Sequence, residues 1–184
     1  MKSYDEYVSK YANSFTKVLI DKDYYGKIQA FVEKLTSKKV MESHHRFDHF
    51  SETKRFTTGL LGEAALEKLL GISIIDWTIG ESSTYHHPDI PGYTVGIKTV
   101  EKGKFPIVFK NNYYPQIICI RSDKVPNLIF VCGLATTDVL NNYQDDNLII
   151  DPNLRARGTK TGFYGFSELT PIQSIKDLTQ YERK

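Results

Sequence analysis

Cysteine, tryptophan and long apolar runs are scarce in this sequence. The 184 residues include 2 cysteines and 1 tryptophan. Cys119 and Cys132 lie in apolar segments that indicate buried strands, which favours inert core thiols over a disulfide or a metal pair. No apolar run reaches the roughly 18 residues of a membrane-spanning helix, and the N-terminus lacks the apolar stretch of a secretory signal. We therefore expect a cytoplasmic protein that does not contact a membrane.

A strong net charge is also absent. The chain has 24 Lys and Arg against 22 Asp and Glu, which gives a formal net charge of +2. No field of the whole molecule therefore attracts a polyanion. Positive side chains do concentrate in two short stretches, one with Lys98, Lys102, Lys104 and Lys110 and the other with Arg155, Arg157 and Lys160. Such clusters are usually solvated surface, and they become informative only beside an active site.

Apolar periodicity predicts helices early in the chain and strands in its middle. Spacings of three and four predict helix over residues 1–40 and again over 56–70, with Gly71 as the C-cap. Short apolar segments bounded by turn residues predict strands at 72–79, 93–100, 105–109, 117–121 and 128–134. A last helix is predicted over 172–181. This order favours an α/β fold without regular βαβ alternation.

Two other motifs suggest chemistry that the sequence does not favour. His45 and His49 have a spacing that could place both on one helical face, but a structural zinc site needs four ligands and the cysteines are distant. A loop that contacts phosphate, or plain surface, is the preferred interpretation of this stretch. Residues 158–162 read Gly-Thr-Lys-Thr-Gly, which is too short for the phosphate-binding loop of nucleotide-binding proteins. We therefore expect no nucleotide cofactor.

Three segments of the sequence contain titratable residues in an order that suggests a common site. Glu63 lies on the predicted helix between Gly62 and Ala64, whose small side chains allow close packing. Residues 88–92 read Pro-Asp-Ile-Pro-Gly and put Asp89 at the start of a strand. Residues 95–99 read Val-Gly-Ile-Lys-Thr and project Lys98 from the next strand. The spacing of Asp89 and Lys98 suits a hairpin whose arms bring both side chains to one edge.

Together these segments, from about residue 55 to residue 120, resemble the PD-(D/E)XK nuclease superfamily. In that family a helix glutamate precedes a Pro-Asp at a β-hairpin, and an acid-X-Lys triplet occupies the following strand. The resemblance implies a restriction-endonuclease-like core over 51–184, with a central mixed β-sheet flanked by helices, and an N-terminal helical segment over 1–50 that packs on it. It also implies a hydrolase, namely a Mg²⁺-dependent DNA endonuclease that leaves a 3′-hydroxyl, with Mn²⁺ as a substitute ion.

The resemblance assigns a role to each candidate residue. Asp89 would be the central metal ligand, Glu63 a second ligand, and the backbone carbonyl of Ile97 would complete the coordination, because Mg²⁺ prefers oxygen. Lys98 would orient or deprotonate the attacking water and offset charge on the phosphate. A homodimer is expected, because cutting both strands with one site per chain needs two copies. The expected DNA contacts are Lys102, Lys104, Arg155, Arg157 and Lys160.

One position departs from the family pattern. Gly96 stands where the acid of the acid-X-Lys triplet is expected, which removes a negative charge that helps to hold metal. Possible substitutes for this acid, or extra ligands, are Glu67, Glu81, Glu101, His86 and His87. The departure leaves a second interpretation open, a weakened or inactive module of the same fold that binds DNA or protein. A third is an assembly protein whose tyrosine-rich helices mediate association.

Overall fold

A computed structural model describes residues 1–42, 49–78 and 88–184 of the chain. The helices and strands in chain order are α1 (Tyr4–Tyr7), β1 (Thr16–Leu19), α2 (Lys22–Glu42), α3 (His49–Leu70), β2 (Gly96–Glu101), β3 (Ile107–Phe109), β4 (Gln116–Arg121), β5 (Leu128–Ala135), α4 (Thr137–Asn142), β6 (Gln144–Asp145), α5 (Pro152–Ala156) and β7 (Lys160–Phe163). Short 3₁₀ helices cover Ser9–Ser14, Asp146–Leu148, Phe166–Glu168 and Ile175–Tyr181. Among these elements, no helix is long and apolar enough to cross a membrane.

The strands form two sheets. The larger sheet has the order β1-β5-β4-β2, in which β4 runs parallel to β2 and antiparallel to β5, and β1 is antiparallel to β5. The smaller sheet has the antiparallel order β3-β7-β6. The larger sheet is therefore mixed, and with its flanking helices it confirms the predicted α/β class. Among the described strands, β2 lies at one edge of this sheet and β1 at the other.

The mixed sheet lies between a helical layer and the smaller sheet. On β4, Ile117 and Cys119 belong to a core cluster with Leu61 of α3, whereas Ile118 packs in a second cluster with Phe163 of β7. This division follows from the alternation of side chains along a strand, because successive residues point to opposite faces. The two cysteines are free and buried, as predicted. Burial raises the pKa of the Cys119 thiol to about 12, which makes it unreactive.

The helical prediction for residues 1–40 is wrong at β1. Residues Thr16–Leu19 form an edge strand that pairs with β5 and places Val18 in the core, at 6% exposure. Four residues of alternating burial give a weak local signal, and pairing with a distant strand decides the structure. The predicted N-terminal helical segment therefore also contributes a strand to the central sheet. Tyr4 of this segment packs on the rest of the protein, since the centre of its ring lies 5.5 Å from that of Phe105.

The strand predicted over 72–79 is wrong for residues 72–78, and residue 79 lies outside the described residues. The backbone N–H groups of Ile74 and Ile75 donate to the Glu67 carboxylate, each at 2.8 Å, rather than to a neighbouring strand. Both isoleucines are still buried, so the apolar pattern reflects burial without a sheet. The predicted strand at 105–109 shortens to β3, which pairs with β7. The last predicted helix is a 3₁₀ helix that begins at Ile175.

Candidate active site

Helix α3 packs very closely on strand β2, and this contact positions Glu63. A Cβ atom at Gly62 would lie 1.7 Å from Oγ1 of Thr99 and 2.8 Å from its Cβ, so only glycine fits. The next residue, Ala64, is 1% exposed and packs in the core with α2 and the sheet. The predicted role of small residues beside Glu63 is confirmed by these contacts. Glu63 itself is half-buried beside this crossing.

A tight turn brings Asp89 to strand β2. The N–H of Ile90 donates to the carbonyl of Val95 at 3.2 Å, and Gly92 has a φ of 82°, which favours glycine. Both Ile90 and Val95 are fully buried and anchor the two sides of the turn. Asp89 therefore lies in a turn rather than at the start of a strand. The predicted hairpin-like return is present, because Oδ2 of Asp89 accepts a hydrogen bond from the N–H of Ile97 at 2.6 Å.

The backbone of Ile97 faces the open edge of the sheet. The N–H of Gly96 donates to the carbonyl of Pro115, so Gly96 presents its backbone groups toward β4. Successive residues of a strand present their N–H and C=O to opposite sides, so those of Ile97 point away from β4. The hydrogen bond to Asp89 agrees with this orientation. The carbonyl oxygen of Ile97 consequently lies on the same edge as Asp89, as a metal ligand would require.

The two carboxylates of the site repel each other when both are ionised, and burial further disfavours their charged forms. The pKa of Glu63 is raised to about 8, mainly by burial and also by the charges of Asp89, Glu67 and Asp76. Desolvation also raises the pKa of Asp89, against the Ile97 hydrogen bond and the charge of Lys98. Glu63 is therefore largely protonated at neutral pH in the absence of a compensating cation.

Lys98 lies next to Asp89 in a positively charged environment. The pKa of Lys98 is lowered to about 8, mainly by burial and also by the charges of Lys160 and Arg55, while the Asp89 carboxylate opposes this shift. Successive side chains of a strand point to opposite faces, so Lys98 and Thr99 lie on different faces of β2. Thr99 faces α3, and Lys98 lies on the face that packs on the smaller sheet. Arg55 comes from α3 and Lys160 from β7. The charges of residues from both layers thus act on Lys98.

Comparison of the chain with protein-family models, with curated proteins and with solved structures finds no match. The function is therefore inferred from the residues of the chain itself.

Two further residues, Tyr114 and Gln116, lie beside Gly96, where the sequence did not predict them. A Cβ at Gly96 would lie 3.0 Å from Cε2 of Tyr114, 3.3 Å from Oδ2 of Asp89 and 3.3 Å from Cγ of Gln116. Gln116 is the register partner of Gly96 in the parallel pair of β2 and β4. A side chain at position 96 would therefore lie against Asp89. The tyrosine ring and the glutamine side chain crowd this position, and the pairing of two distant strands gives no local sequence signal.

The carboxylates suggested as substitutes for the missing acid are engaged elsewhere or not described. Glu67 accepts hydrogen bonds from two backbone N–H groups and from the hydroxyl of Tyr24. Glu101 forms ion pairs with Lys54 at 3.2 Å and with Lys104 at 2.9 Å, at the far end of β2. Glu81, His86 and His87 lie outside the described residues, as does the side chain of each histidine in the 44–49 stretch.

The oxygen atoms of the site are of the kind that bind a divalent cation. In the described part of the chain, no group of three or more His, Cys, Asp and Glu side chains is arranged to hold a metal ion. Two mutually repelling carboxylates and an outward backbone carbonyl are nevertheless oxygen donors of the kind that Mg²⁺ takes, with water filling the other positions. The raised pKa values of Glu63 and Asp89 also show carboxylates that lack full compensation within the described protein. The donors at this edge fit a hard divalent ion with few protein ligands.

The basic residues predicted to contact DNA are spread over three places. Lys102 pairs with Asp123 at 3.4 Å and Lys104 with Glu101 at 2.9 Å, in the turn after β2. Arg155 donates to the carbonyl of Ile149 at 2.5 Å, and Arg157 is exposed at the end of α5. Of the five predicted residues, Lys160 is the one whose charge acts on Lys98.

The raised pKa of Glu63 gives stability a definite pH dependence. The pKa rises from an ordinary value of 4.5 to about 8 on folding, so the folded state binds a proton more tightly than the unfolded chain. The resulting stabilisation is complete below pH 4.5 and is lost as the pH rises to about 8. We expect the free energy of unfolding to fall across this window with a slope of at most about 1.4 kcal/mol per pH unit. Denaturant unfolding at several pH values measures it.

Glu63→Gln is the matched control for this dependence, because the amide has similar size and no charge. The variant should show a flatter stability profile between pH 5 and pH 8 than the wild type. Mg²⁺ should stabilise the wild type more at pH 8, where Glu63 is ionised, than at pH 6. Identical pH profiles for the wild type and Glu63→Gln would show that Glu63 is not the titrating group.

Proposed function

We propose that this chain is a Mg²⁺-dependent DNA endonuclease with a restriction-endonuclease-like core. The observation that carries the proposal is the position of Asp89, which is bound to the β2 backbone at Ile97 and interacts electrostatically with both Glu63 and Lys98. Glu63 comes from α3, whereas Asp89 precedes β2 and Lys98 lies on it, and the interactions of Asp89 with both residues support the family pattern. Mn²⁺ is expected to substitute for Mg²⁺.

Each residue has a distinct task in the proposed reaction. The hydrogen bond from Ile97 fixes Oδ2 of Asp89 and leaves Oδ1 available as a ligand. Glu63 and the carbonyl of Ile97 would complete the protein ligands, and Mg²⁺ bound there would acidify water and clamp phosphate oxygens. Lys98, with a pKa of about 8, stands beside Asp89 to orient the attacking water and to offset charge on the phosphate.

Cleavage of circular DNA with added metal tests this proposal. Purified protein is incubated with supercoiled plasmid and with single-stranded circular DNA in Mg²⁺, Mn²⁺ or EDTA. Nicking or linearisation in Mg²⁺ and Mn²⁺ but not in EDTA supports the proposal. Linear plasmid formed in one binding event is the expected product of a homodimer, whereas a monomer releases nicked circles first. No cleavage under any metal condition contradicts the enzyme assignment.

An inactive module of the same fold is the second candidate, and Gly96 is the observation that favours it. The position that normally supplies an acid has no side chain, and the Tyr114 ring lies only 3.0 Å from where a Cβ would be. Such a module would bind DNA or protein with neither metal binding nor nicking. Calorimetric titration with Mg²⁺ and Mn²⁺, performed beside the cleavage assay, separates the two functions. Heat of binding that disappears in Asp89→Asn supports the nuclease.

Lys160 is expected to tune the pH dependence of cleavage through Lys98. The charge of Lys160 lowers the pKa of Lys98, so Lys160→Gln should raise that pKa toward its ordinary value of 10.5. The break in the pH–rate profile, expected near pH 8 in the wild type, should move to higher pH in the variant. Lys110→Gln is a suitable control, because Lys110 is paired with Asp146 at 2.7 Å. A break that does not move in Lys160→Gln would contradict the assigned titration of Lys98.

A further inference from the structure

A groove leads away from the candidate active site between the loops 109–114 and 158–160. It has a volume of about 850 Å³. Its lining includes Tyr114 and Gln116, which also surround Gly96. Desolvation raises the pKa of Tyr114, and the charge of Asp89 raises it further. Lys160 lines the groove and also acts on Lys98. The groove is therefore continuous with the edge of β2 where the site residues meet.

Two aromatic side chains of this groove are exposed. Phe109 at the end of β3 is 57% exposed, and Tyr113 in the following loop is 88% exposed. Aromatic side chains carry a large apolar area, and an isolated exposed ring needs no explanation. Here two exposed rings line one groove that ends at a candidate active site. This combination indicates a contact surface for a flat, π-bonded ligand.

The backbone beneath these rings is held in place. Gln144 donates through Nε2 to the carbonyls of Phe109 and Lys110, at 3.3 and 3.1 Å. Asn112 donates through Nδ2 to the carbonyl of Phe109 at 2.7 Å, and its N–H donates to Oδ1 of Asn141 at 3.0 Å. Side chains from α4 and β6 thus fix the loop that carries the rings. A rigid platform loses little entropy when a ligand stacks on it.

Positive charge lies next to the aromatic surface. The ammonium of Lys160 is 5.2 Å from the ring centroid of Phe109. The charge of Lys110 is offset by Asp146 at 2.7 Å. An aromatic ring with a neighbouring cation is the arrangement by which proteins hold a base and its phosphate in an unpaired strand.

We propose that this groove binds unpaired nucleotides of a single DNA strand and leads them to the site. Bases stack on Phe109 and Tyr113, and a phosphate contacts Lys160. This inference rests on the proposed nuclease function and specifies its substrate. A base inside a duplex offers only its edge to a groove, so it cannot stack on a side chain. The net charge of +2 also provides little of the phosphate neutralisation that binding to duplex alone requires.

Fluorescence anisotropy in EDTA tests the proposal without cleavage. The probes are a labelled single strand of about 12 nucleotides, the duplex of the same sequence, and the same strand with abasic linkers in place of its bases. Tyr113→Ala and Phe109→Ala remove a ring each. Tyr113→Phe keeps the ring, and Leu19→Ala removes a side chain that is 52% exposed on β1, at the opposite edge of the sheet.

The single strand should bind more tightly than the duplex. Each alanine variant in the groove should weaken binding of the single strand by about 5-fold to 150-fold, the range measured for one stacked base. Tyr113→Phe and Leu19→Ala should bind like the wild type. The abasic strand should bind weakly to every variant. Thermal denaturation confirms that each variant is folded before its affinity is compared.

Two results would overturn the inference: duplex bound as tightly as single strand, or unchanged affinity in both folded alanine variants. Metal-dependent cleavage of DNA, measured separately, decides the nuclease proposal. Cleavage without ring-dependent binding would leave the nuclease and remove the groove as a strand-binding site. Ring-dependent binding without cleavage would keep the groove and contradict the nuclease.

Discussion

Asp89→Asn is expected to reduce Mg²⁺-dependent cleavage at least about 10³-fold, because the ligand at the centre of the site loses its charge. The amide oxygen can still accept the hydrogen bond from Ile97, so the turn and β2 should keep their structure. The loss of one of two repelling carboxylates should also lower the pKa of Glu63. Cleavage assays measure the loss of activity, and thermal denaturation shows whether the purified variant keeps its structure. Denaturant unfolding at several pH values measures the change in the pKa of Glu63.

Lys98→Met should cause a loss of similar size through a different route. The methionine fills the half-buried space of the lysine stem but can neither orient water nor offset phosphate charge. Calorimetry should separate the two variants, since Asp89→Asn loses metal binding and Lys98→Met retains it. Equal and full metal binding in both variants would contradict the assigned roles.

Asp76→Asn is the control for the loss of negative charge near Glu63. The charge of Asp76 also raises the pKa of Glu63, but its carboxylate accepts hydrogen bonds from Thr78 and is not placed in the site. This variant should cleave DNA at the wild-type rate. If Asp76→Asn lost as much activity as Asp89→Asn, general electrostatics rather than a metal ligand would explain the effect. Full activity in Asp89→Asn would remove the site assignment altogether.

Gly62→Ala is expected to destabilise the protein by about 3 kcal/mol, because the added methyl group overpacks the crossing of α3 and β2. Its Cβ would lie 1.7 Å from Oγ1 and 2.8 Å from Cβ of Thr99, and rotation of the threonine side chain relieves only the first contact. The helix must therefore move away from the strand. Because Glu63 is the next residue, activity should fall with stability. Denaturant unfolding and cleavage assays measure the two losses.

Gly59→Ala provides a matched control one turn earlier in the same helix. Apart from the nearby backbone of its own helix, no atom of the described residues lies within 4 Å of the position where its Cβ would be. Alanine there should stabilise the protein by about 0.5–1 kcal/mol, because it favours helix more than glycine does. Thr99→Ala combined with Gly62→Ala should recover part of the lost stability. Equal effects of the two glycine substitutions would mean that α3 does not contact β2 at Gly62.

Local patterns predicted those elements whose own residues carry the signal. The strands β4 and β5 are continuous apolar segments bounded by turns, and the structure places them within one or two residues of the prediction. Gly71 ends α3 with a φ of 70° and an N–H bond to the carbonyl of Glu67, as its position predicts. The strand β1 was missed because its four residues acquire their structure from β5, which is more than 100 residues away.

The sequence predicted the titratable residues of the candidate site but not their surroundings. Their order singled out Glu63, Asp89 and Lys98, and the charge of Asp89 interacts with both of the other two. The places of Tyr114 and Gln116 beside Gly96 were not predicted, because the register of two parallel strands has no local pattern. For Glu67 the sequence suggested a metal ligand. Its carboxylate instead accepts hydrogen bonds from two backbone N–H groups.

The proposed metal site is tested most directly by the anomalous scattering of Mn²⁺ in crystals of this protein soaked with the ion. We expect one strong peak at the open edge of β2, within coordination distance of Oδ1 of Asp89, the Glu63 carboxylate and the carbonyl oxygen of Ile97. The peak should be absent from crystals of Asp89→Asn. A wild-type crystal with no peak at this edge, or with its only peak elsewhere, would contradict the metal-dependent nuclease.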